Sequence, residues 1–115
     1  MNPLRTALAI LVMTMIPPGT VRAAAPMKAL LIDGQNNHAW KSTTPHLKQV
    51  IEATGLFTVD VATSPDKGGD MSGFKPKFAD YKVIVSNYNG ERWSKKTEEA
   101  LVRFVRAGGG FVTAI

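Results

Sequence analysis

Cysteine is missing from the chain, and histidine occurs only twice. Without cysteine there is no disulfide, no thiol nucleophile and no thiolate ligand for a metal. Two histidines, at positions 38 and 46, are too few for a closed zinc site, so the sequence predicts no metal centre. The missing disulfides do not argue against export, because a core of adequate size folds without them.

Glycine-rich motifs that bind phosphate groups are also missing. The chain has no G-x-G-x-x-G sequence and no Walker-type loop. The GGG at 108–110 leads into an apolar run rather than a helix, so it is typical of a helix stop. The sequence therefore does not identify a cofactor.

Positive charge is in modest excess and is dispersed. The formal charge is +5 at pH 7, and it falls to +3 if Arg5 and Arg22 are removed with a leader. The lysines are spread among acidic residues and form no block, so no nucleic-acid partner is predicted.

The N-terminal apolar run, at 7–16, is too short to span a bilayer. Three features predict a secretory signal peptide over residues 1–25, cleaved after Ala23 or Ala25. They are a positively charged N-terminal segment, this apolar run and the small residues of VRAAAP. The alternative is an uncut membrane anchor, which the early Pro17 and Pro18 disfavour. We therefore expect export of a domain over 26–115, with no stable membrane insertion after cleavage.

Apolar strands alternate with amphipathic helices along the rest of the chain. In the first helix, Thr44 is the predicted cap, Pro45 the first helical position and Gly55 the stop. In the second, Ser94 caps and Gly108 ends the helix. The predicted strands are 27–34, 57–63, 83–85 and 110–115, and a predicted loop over 64–80 has a helical turn near Phe78. The apolar residues predicted to face the core are Leu47, Val50 and Ile51 in the first helix, and Leu101, Phe104 and Val105 in the second.

This alternation predicts right-handed βαβ units and an α/β fold with a doubly wound parallel sheet and helices on both faces. The second strand is apolar on one side only, which favours the flavodoxin-like order 2-1-3-4 with that strand at an edge. In this order the apolar last strand would be an uncovered edge. We therefore expect the fold to be incomplete at the C-terminus and the chain to be a fragment of a longer protein.

Two polar segments, 33–40 and 86–93, follow the two central strands of this predicted sheet. Ligands of open α/β sheets bind outside the carboxyl ends of the strands, where the winding reverses. Both segments are rich in amides and aromatic rings, which bond to hydroxyls and stack on sugar faces. The sequence therefore predicts a site for a polyhydroxylated small molecule, such as a small-molecule carbohydrate.

His38 is the best candidate for acid–base or ligand work, because its unperturbed pKa lies near neutrality. Asp33 is the second catalytic candidate, either as a general base or as an orienting partner, although a strand-end Asp also often bonds its own loop. His46 is expected to be structural or on the surface. Trp40 and Trp93 either stack on a sugar or cover the helix ends, and the predicted substrate-binding residues are Asn36, Asn37, Trp40, Asn87, Tyr88 and Asn89.

The blocks DGQNNHAWKSTTP (33–45) and DYKVIVSNYNG (80–90) give the chain its resemblance to the ThuA-like (trehalose-utilisation) domain family. The resemblance covers 27–115, as the N-terminal half of such a domain. It implies the class I glutamine amidotransferase-like fold and carbohydrate processing, without the Cys-His-Glu catalysis of amidotransferases. A complete member continues into a His-containing loop after the fourth strand. The resemblance carries over His38 with Asn36 and Asn37 in the first block, and Asn87, Tyr88 and Asn89 in the second.

The leading hypothesis is an exported ThuA-like domain that processes a trehalose-type or modified sugar. The alternative is a non-catalytic carbohydrate- or protein-binding module of the same fold. A cysteine-dependent amidotransferase or peptidase is disfavoured because no cysteine is present. The substrate, the reaction and the oligomeric state are not fixed by these patterns.

Overall fold

A computed structural model describes residues 24–114 together with residues 10 and 12. Most of the signal peptide predicted over 1–25 lies outside the described residues, as does Ile115. Within the described part of the chain, no helix has the length and apolarity needed to cross a membrane.

Four strands and two helices alternate along the chain, as the sequence predicts. Two single turns of 3-10 helix lie in the long loop after the second strand, and the turn at Phe78–Asp80 confirms the predicted one. In chain order the elements are β1 Met27–Asp33, α1 Trp40–Ala53, β2 Phe57–Thr63, the turns Met71–Gly73 and Phe78–Asp80, β3 Val83–Ser86, α2 Lys95–Arg106 and β4 Gly110–Thr113.

The strands form one parallel sheet in the order β2-β1-β3-β4. β1 pairs with β2 along its whole length, from Met27 opposite Phe57 to Asp33 opposite Thr63. On its other side β1 pairs with β3, and β3 pairs with β4. The α/β class, the flavodoxin-like order and the edge position of β2 are therefore confirmed.

Alternate residues of β1 face opposite layers, and each layer contains one helix. Leu30 and Ile32 pack with Phe104 of α2, whereas Ala29 and Leu31 pack with Leu47 of α1. Leu31, Ile32 and Ile84 are fully buried. Each such side chain stabilises the fold by about 1.5–3 kcal/mol. The well-packed central strands therefore hold the loops at the edge of the sheet in place.

The first helix begins at Trp40, five residues before the predicted first helical position, and Pro45 lies inside it. Thr44 does not cap the helix. It is buried, and its hydroxyl oxygen accepts a hydrogen bond from the amide of Asn87 at 3.1 Å. The prediction was wrong because this contact with β3 is not visible in the local sequence. The predicted stop is confirmed, since Gly55 has a φ of +71°.

The second helix has the predicted ends. The side chain of Ser94 accepts from the backbone N–H of Thr97 at 3.4 Å, and Gly108 has a φ of +97°. Val105 of α2 and Val50 of α1 were predicted to face the core, but they are 44% and 52% exposed. Each lies beside the stripe that meets the sheet, because one residue along a helix turns the side chain by about 100°.

Candidate functional site

The carboxyl ends of β1, β2 and β3 bring three polar loops together at one edge of the sheet. Gly34, which follows β1, has a φ of +123°, and a Cβ there would overlap Ser64 in the loop after β2. The N–H of Ser64 donates to the carbonyl of Asp33 at 2.9 Å. The first two loops are therefore in backbone contact, and only glycine fits between them.

Gln35, in the loop after β1, bonds to both the loop after β2 and the loop after β3, and it is 8% exposed. Its Nε2 donates to the carbonyl of Pro65 at 2.9 Å, and its Oε1 accepts from the N–H of Glu91 at 3.0 Å. Its own carbonyl accepts from the N–H of Asn89. One buried amide therefore fixes the geometry of this edge, a role that the sequence prediction did not assign.

The larger cavity at this edge has a volume of about 680 Å³ and opens between the three loops. It contains four of the six predicted substrate-binding residues, Asn36, Asn37, Trp40 and Asn89. Its remaining lining residues are Gly34, Gln35, Asp66, Lys67, Gly90 and Glu91.

Charged residues in this cavity were missed by the sequence prediction. Asp66 and Lys67 lie in a stretch that resembles an ordinary solvated loop, and Glu91 follows the second polar block. A carboxylate oxygen of Glu91 accepts from the N–H of Gly68 at 3.0 Å, which holds the second loop against the third. The sequence DKGG at 66–69 gives no sign of this contact.

A smaller cavity of about 190 Å³ lies beside α1 and has His38, His46 and Asn87 in its lining. Thr43, Leu47 and Ala114 complete it. His38 and Asn87 are predicted site residues, whereas His46 was expected to be structural or on the surface. His46 lies eight positions beyond His38 on a different element, so no local pattern indicates that the two histidines share a cavity.

Asn87 is 1% exposed and connects β3 to α1. Its Nδ2 donates to the hydroxyl oxygens of Thr43 and Thr44, both at 3.1 Å. Its backbone N–H donates to the carbonyl of Ile32. Both side-chain N–H groups therefore bond to α1, and the amide oxygen is the polar atom left for a ligand.

Asp33, the second catalytic candidate, lines neither of these two cavities. Its side chain is buried, at 2% exposure, and Oδ1 accepts from the hydroxyl of Thr63 at 2.6 Å. The structure does not bring Asp33 into the His38 cavity. This placement favours the orienting role over the role of general base, and the catalytic role stays a prediction.

Tyr88 and Trp93 pack with the core instead of lining either cavity. The ring centroids of Trp93 lie 5.3 Å from Tyr88 and 5.6 Å from Phe74. The Tyr88 hydroxyl donates to the carbonyl of Glu91 at 2.6 Å. Burial raises the pKa of Tyr88, while neighbouring Ser64 and Trp93 act to lower it. Trp93 therefore packs on aromatic rings of the core, and substrate contact by Tyr88 stays a prediction.

Residues 24–114 contain no group of three His, Cys, Asp or Glu side chains close enough to hold a metal ion. The lining residues of the two cavities offer a ligand amides, the half-buried indole of Trp40, three charged side chains and two imidazoles. Such a set can bind hydroxyl groups, stack on an apolar face and transfer a proton.

The chain superimposes on the crystal structure of a protein from Parabacteroides merdae that is described as a putative ThuA-like protein. The two are 45% identical with a TM-score of 0.74, over 76% of this chain. The chain is similar to part of a ThuA-like protein. It spans 32% of the length of that protein. No protein-family model and no curated protein matched the chain.

Proposed function

We propose that the chain is a ThuA-like domain that binds and processes a carbohydrate at the carboxyl edge of its sheet. The observation that carries this proposal is the cavity held together by Gln35, with three asparagines and Trp40 in its lining. The similarity to a ThuA-like protein supports it independently.

The larger cavity has the size and chemistry of a sugar site. A volume of about 680 Å³ lies within the range of small-molecule sites, and it suits a sugar of one or two rings. Trp40, at the start of α1, is half-buried and provides a ring face for stacking. The amides of Asn36, Asn37 and Asn89 both donate to and accept from hydroxyl groups.

His38 is the acid–base or ligand group of this proposal. It is exposed and lies between Asn37 and Trp40, which line the larger cavity, while His38 itself lines the smaller one. The substrate is then a trehalose-type or modified sugar, and the reaction is hydrolase-like. The alternative is a carbohydrate- or protein-binding module, in which the same amides and ring recognise a ligand without turnover.

Comparing wild type with His38→Ala separates the two alternatives. The chain is incubated with trehalose and a panel of modified disaccharides while turnover, sugar binding and thermal unfolding are followed. Loss of turnover with retained binding and an unchanged Tm supports catalysis, and Gln49→Ala on the exposed side of α1 is the control. Binding without turnover in wild type supports the module, and absence of both contradicts the carbohydrate proposal.

Export is the second part of the proposal and rests on the N-terminal pattern. Cells that express the whole chain are fractionated, and the intact mass of the exported product is measured. We expect loss of the residues up to Ala23 or Ala25. An uncleaved chain in the cytosolic fraction would contradict export.

A further inference from the structure

A further cavity lies at the amino ends of β3 and β4, at the opposite end of the sheet from the polar loops. Residues 76–82, which precede β3, and residues 107–109, which precede β4, line this amino-end cavity together with side chains of α2. Its volume is about 690 Å³, within the range of small-molecule sites. It shares no lining residue with the larger cavity of the carboxyl edge.

Much of the lining of the amino-end cavity is apolar. Phe78 and Phe104 belong both to this lining and to the buried core. The backbone of Gly109 lies against the Phe104 ring, because a Cβ at Gly109 would overlap that ring. Three of the other lining residues are alanines, Ala79, Ala100 and Ala107. These small side chains leave room for the apolar body of a ligand.

Positive charge exceeds negative charge in the same lining. Lys77, Lys82 and Arg103 are exposed lining residues, and the one carboxylate among the lining residues is that of Asp80. Among the described residues, none of these three cations takes part in an ion pair. The lining therefore has a surplus of positive charge that is free to attract an anion.

The carboxyl end of α2 also reaches this cavity, and a helix end of that kind favours a cation. Its effect is reduced because the carbonyls of Phe104 and Val105 already accept from the N–H groups of Gly109 and Gly108, both at 3.0 Å. Arg103 lies in the last turn of the helix. Its full charge exceeds the partial charge of about half an electron at a helix end, so the balance favours an anion.

We propose that the amino-end cavity binds a small organic anion with an apolar body, of the carboxylate or phosphate-ester type. The apolar body lies against Phe104 and the alanines, and the anionic group pairs with Lys82 and Arg103. A guanidinium suits either group, because its N–H donors match two oxygens of a carboxylate or a phosphate. The proposal does not depend on carbohydrate binding, since the two cavities share no residue.

NMR titration of the ¹⁵N-labelled chain tests the proposal with three probes, 2-naphthoate, 2-naphthyl phosphate and the neutral 2-naphthylmethanol. We expect at least one anion to cause saturable shifts of the amides within 77–82 and 107–109, and the tighter anion identifies the anionic group. The neutral probe should bind about threefold more weakly or worse, because it forms no ion pair. Equal affinity of the neutral probe, shifts confined to the exposed Phe111 and Val112 of β4, or no saturable shift would each overturn the proposal.

Two charge-removing variants, Lys82→Gln and Arg103→Gln, test which side chains bind the anion. Each should weaken the affinity for the tighter anion by about two- to fivefold, the effect of losing one exposed ion pair. Both positions are exposed, so the Tm should stay as in wild type. Lys96→Gln is the matched control, because Lys96 is an exposed cation of α2 outside the lining. An equal loss of affinity in Lys96→Gln would overturn the proposed site.

Discussion

The backbone N–H of Glu91 donates to the side-chain oxygen of Gln35 at 3.0 Å, across 56 positions of sequence. The other end of the same amide donates to Pro65. Because both ends of one buried side chain are used, the loops after β1, β2 and β3 are held as a unit. The geometry of the larger cavity therefore depends on Gln35, which lies at its base.

Replacing Gln35 with alanine should reduce the free energy of unfolding by about 1–3 kcal/mol. The substitution leaves the Glu91 N–H and the Pro65 carbonyl without their partner in a partly desolvated place. Urea unfolding measures the loss. Gln49→Ala, on an exposed position of α1, is the matched control and should change stability by less than about 0.5 kcal/mol. Equal effects of the two variants would contradict this role.

Asn87 and Thr44 should be energetically coupled. A double-mutant cycle of Asn87→Ala and Thr44→Ala isolates their 3.1 Å bond, and we expect a coupling free energy of about 0.5–1.5 kcal/mol. Pairing Asn89→Ala with Thr44→Ala gives the control, because Asn89 lines the other cavity. A coupling indistinguishable from this control would argue against the anchor between β3 and α1.

Gly34 should tolerate alanine less well than Gly55 does. Both have a positive φ, which costs an alanine about 1–2 kcal/mol. A Cβ at Gly55 meets open space, whereas one at Gly34 overlaps Ser64. We expect urea unfolding to show that Gly34→Ala lowers the free energy of unfolding by about 3 kcal/mol, whereas Gly55→Ala lowers it only by the backbone cost. Equal losses would show that the two loops separate easily.

Stability at alkaline pH should depend on Tyr81. Burial, and then its bond to Asp60, raises the pKa of Tyr81 from 10.0 to about 12. The raised pKa means that the folded state holds this proton more tightly than the unfolded chain. The contribution of Tyr81 to the free energy of unfolding is therefore complete below pH 10 and is lost as pH rises through about 12.

Ultraviolet absorbance of the phenolate in a Tyr88→Phe variant measures the Tyr81 pKa, since no other tyrosine remains. We expect a midpoint near 12. Urea unfolding of Tyr81→Phe should show a smaller decline in stability above pH 10 than wild type. A midpoint at 10 would mean that the hydroxyl is free in water.

The order of the sheet was predictable because it depends on periodic features. Continuous apolar runs marked β1 and β3 as central, and one-sided alternation marked β2 as an edge. The start of α1 was not predictable, because Thr44 and Pro45 resemble a helix start and the bond to Asn87 comes from 43 positions away. A local sequence pattern cannot predict a helix start that depends on a hydrogen bond from a residue far along the chain.

The candidate site was predictable only in part for the same reason. Asn36, Asn37, Trp40 and Asn89 are predicted because their residue types suit a sugar and they follow central strands, and all four line the larger cavity. Gln35 lies in the same polar block, but its role depends on Pro65 and Glu91, which belong to other loops. The shared cavity of His38 and His46 follows from how the loop after β1 enters α1.

Carbohydrate binding in the larger cavity can be tested by chemical-shift mapping. Amide and indole NMR signals of the ¹⁵N-labelled chain are followed while trehalose and related disaccharides are added. We expect saturable shifts at Asn36, Asn37, Trp40 and Asn89, which are lost in Trp40→Ala and retained in Gln49→Ala. Shifts confined to α2, or none with any sugar of the panel, would contradict it.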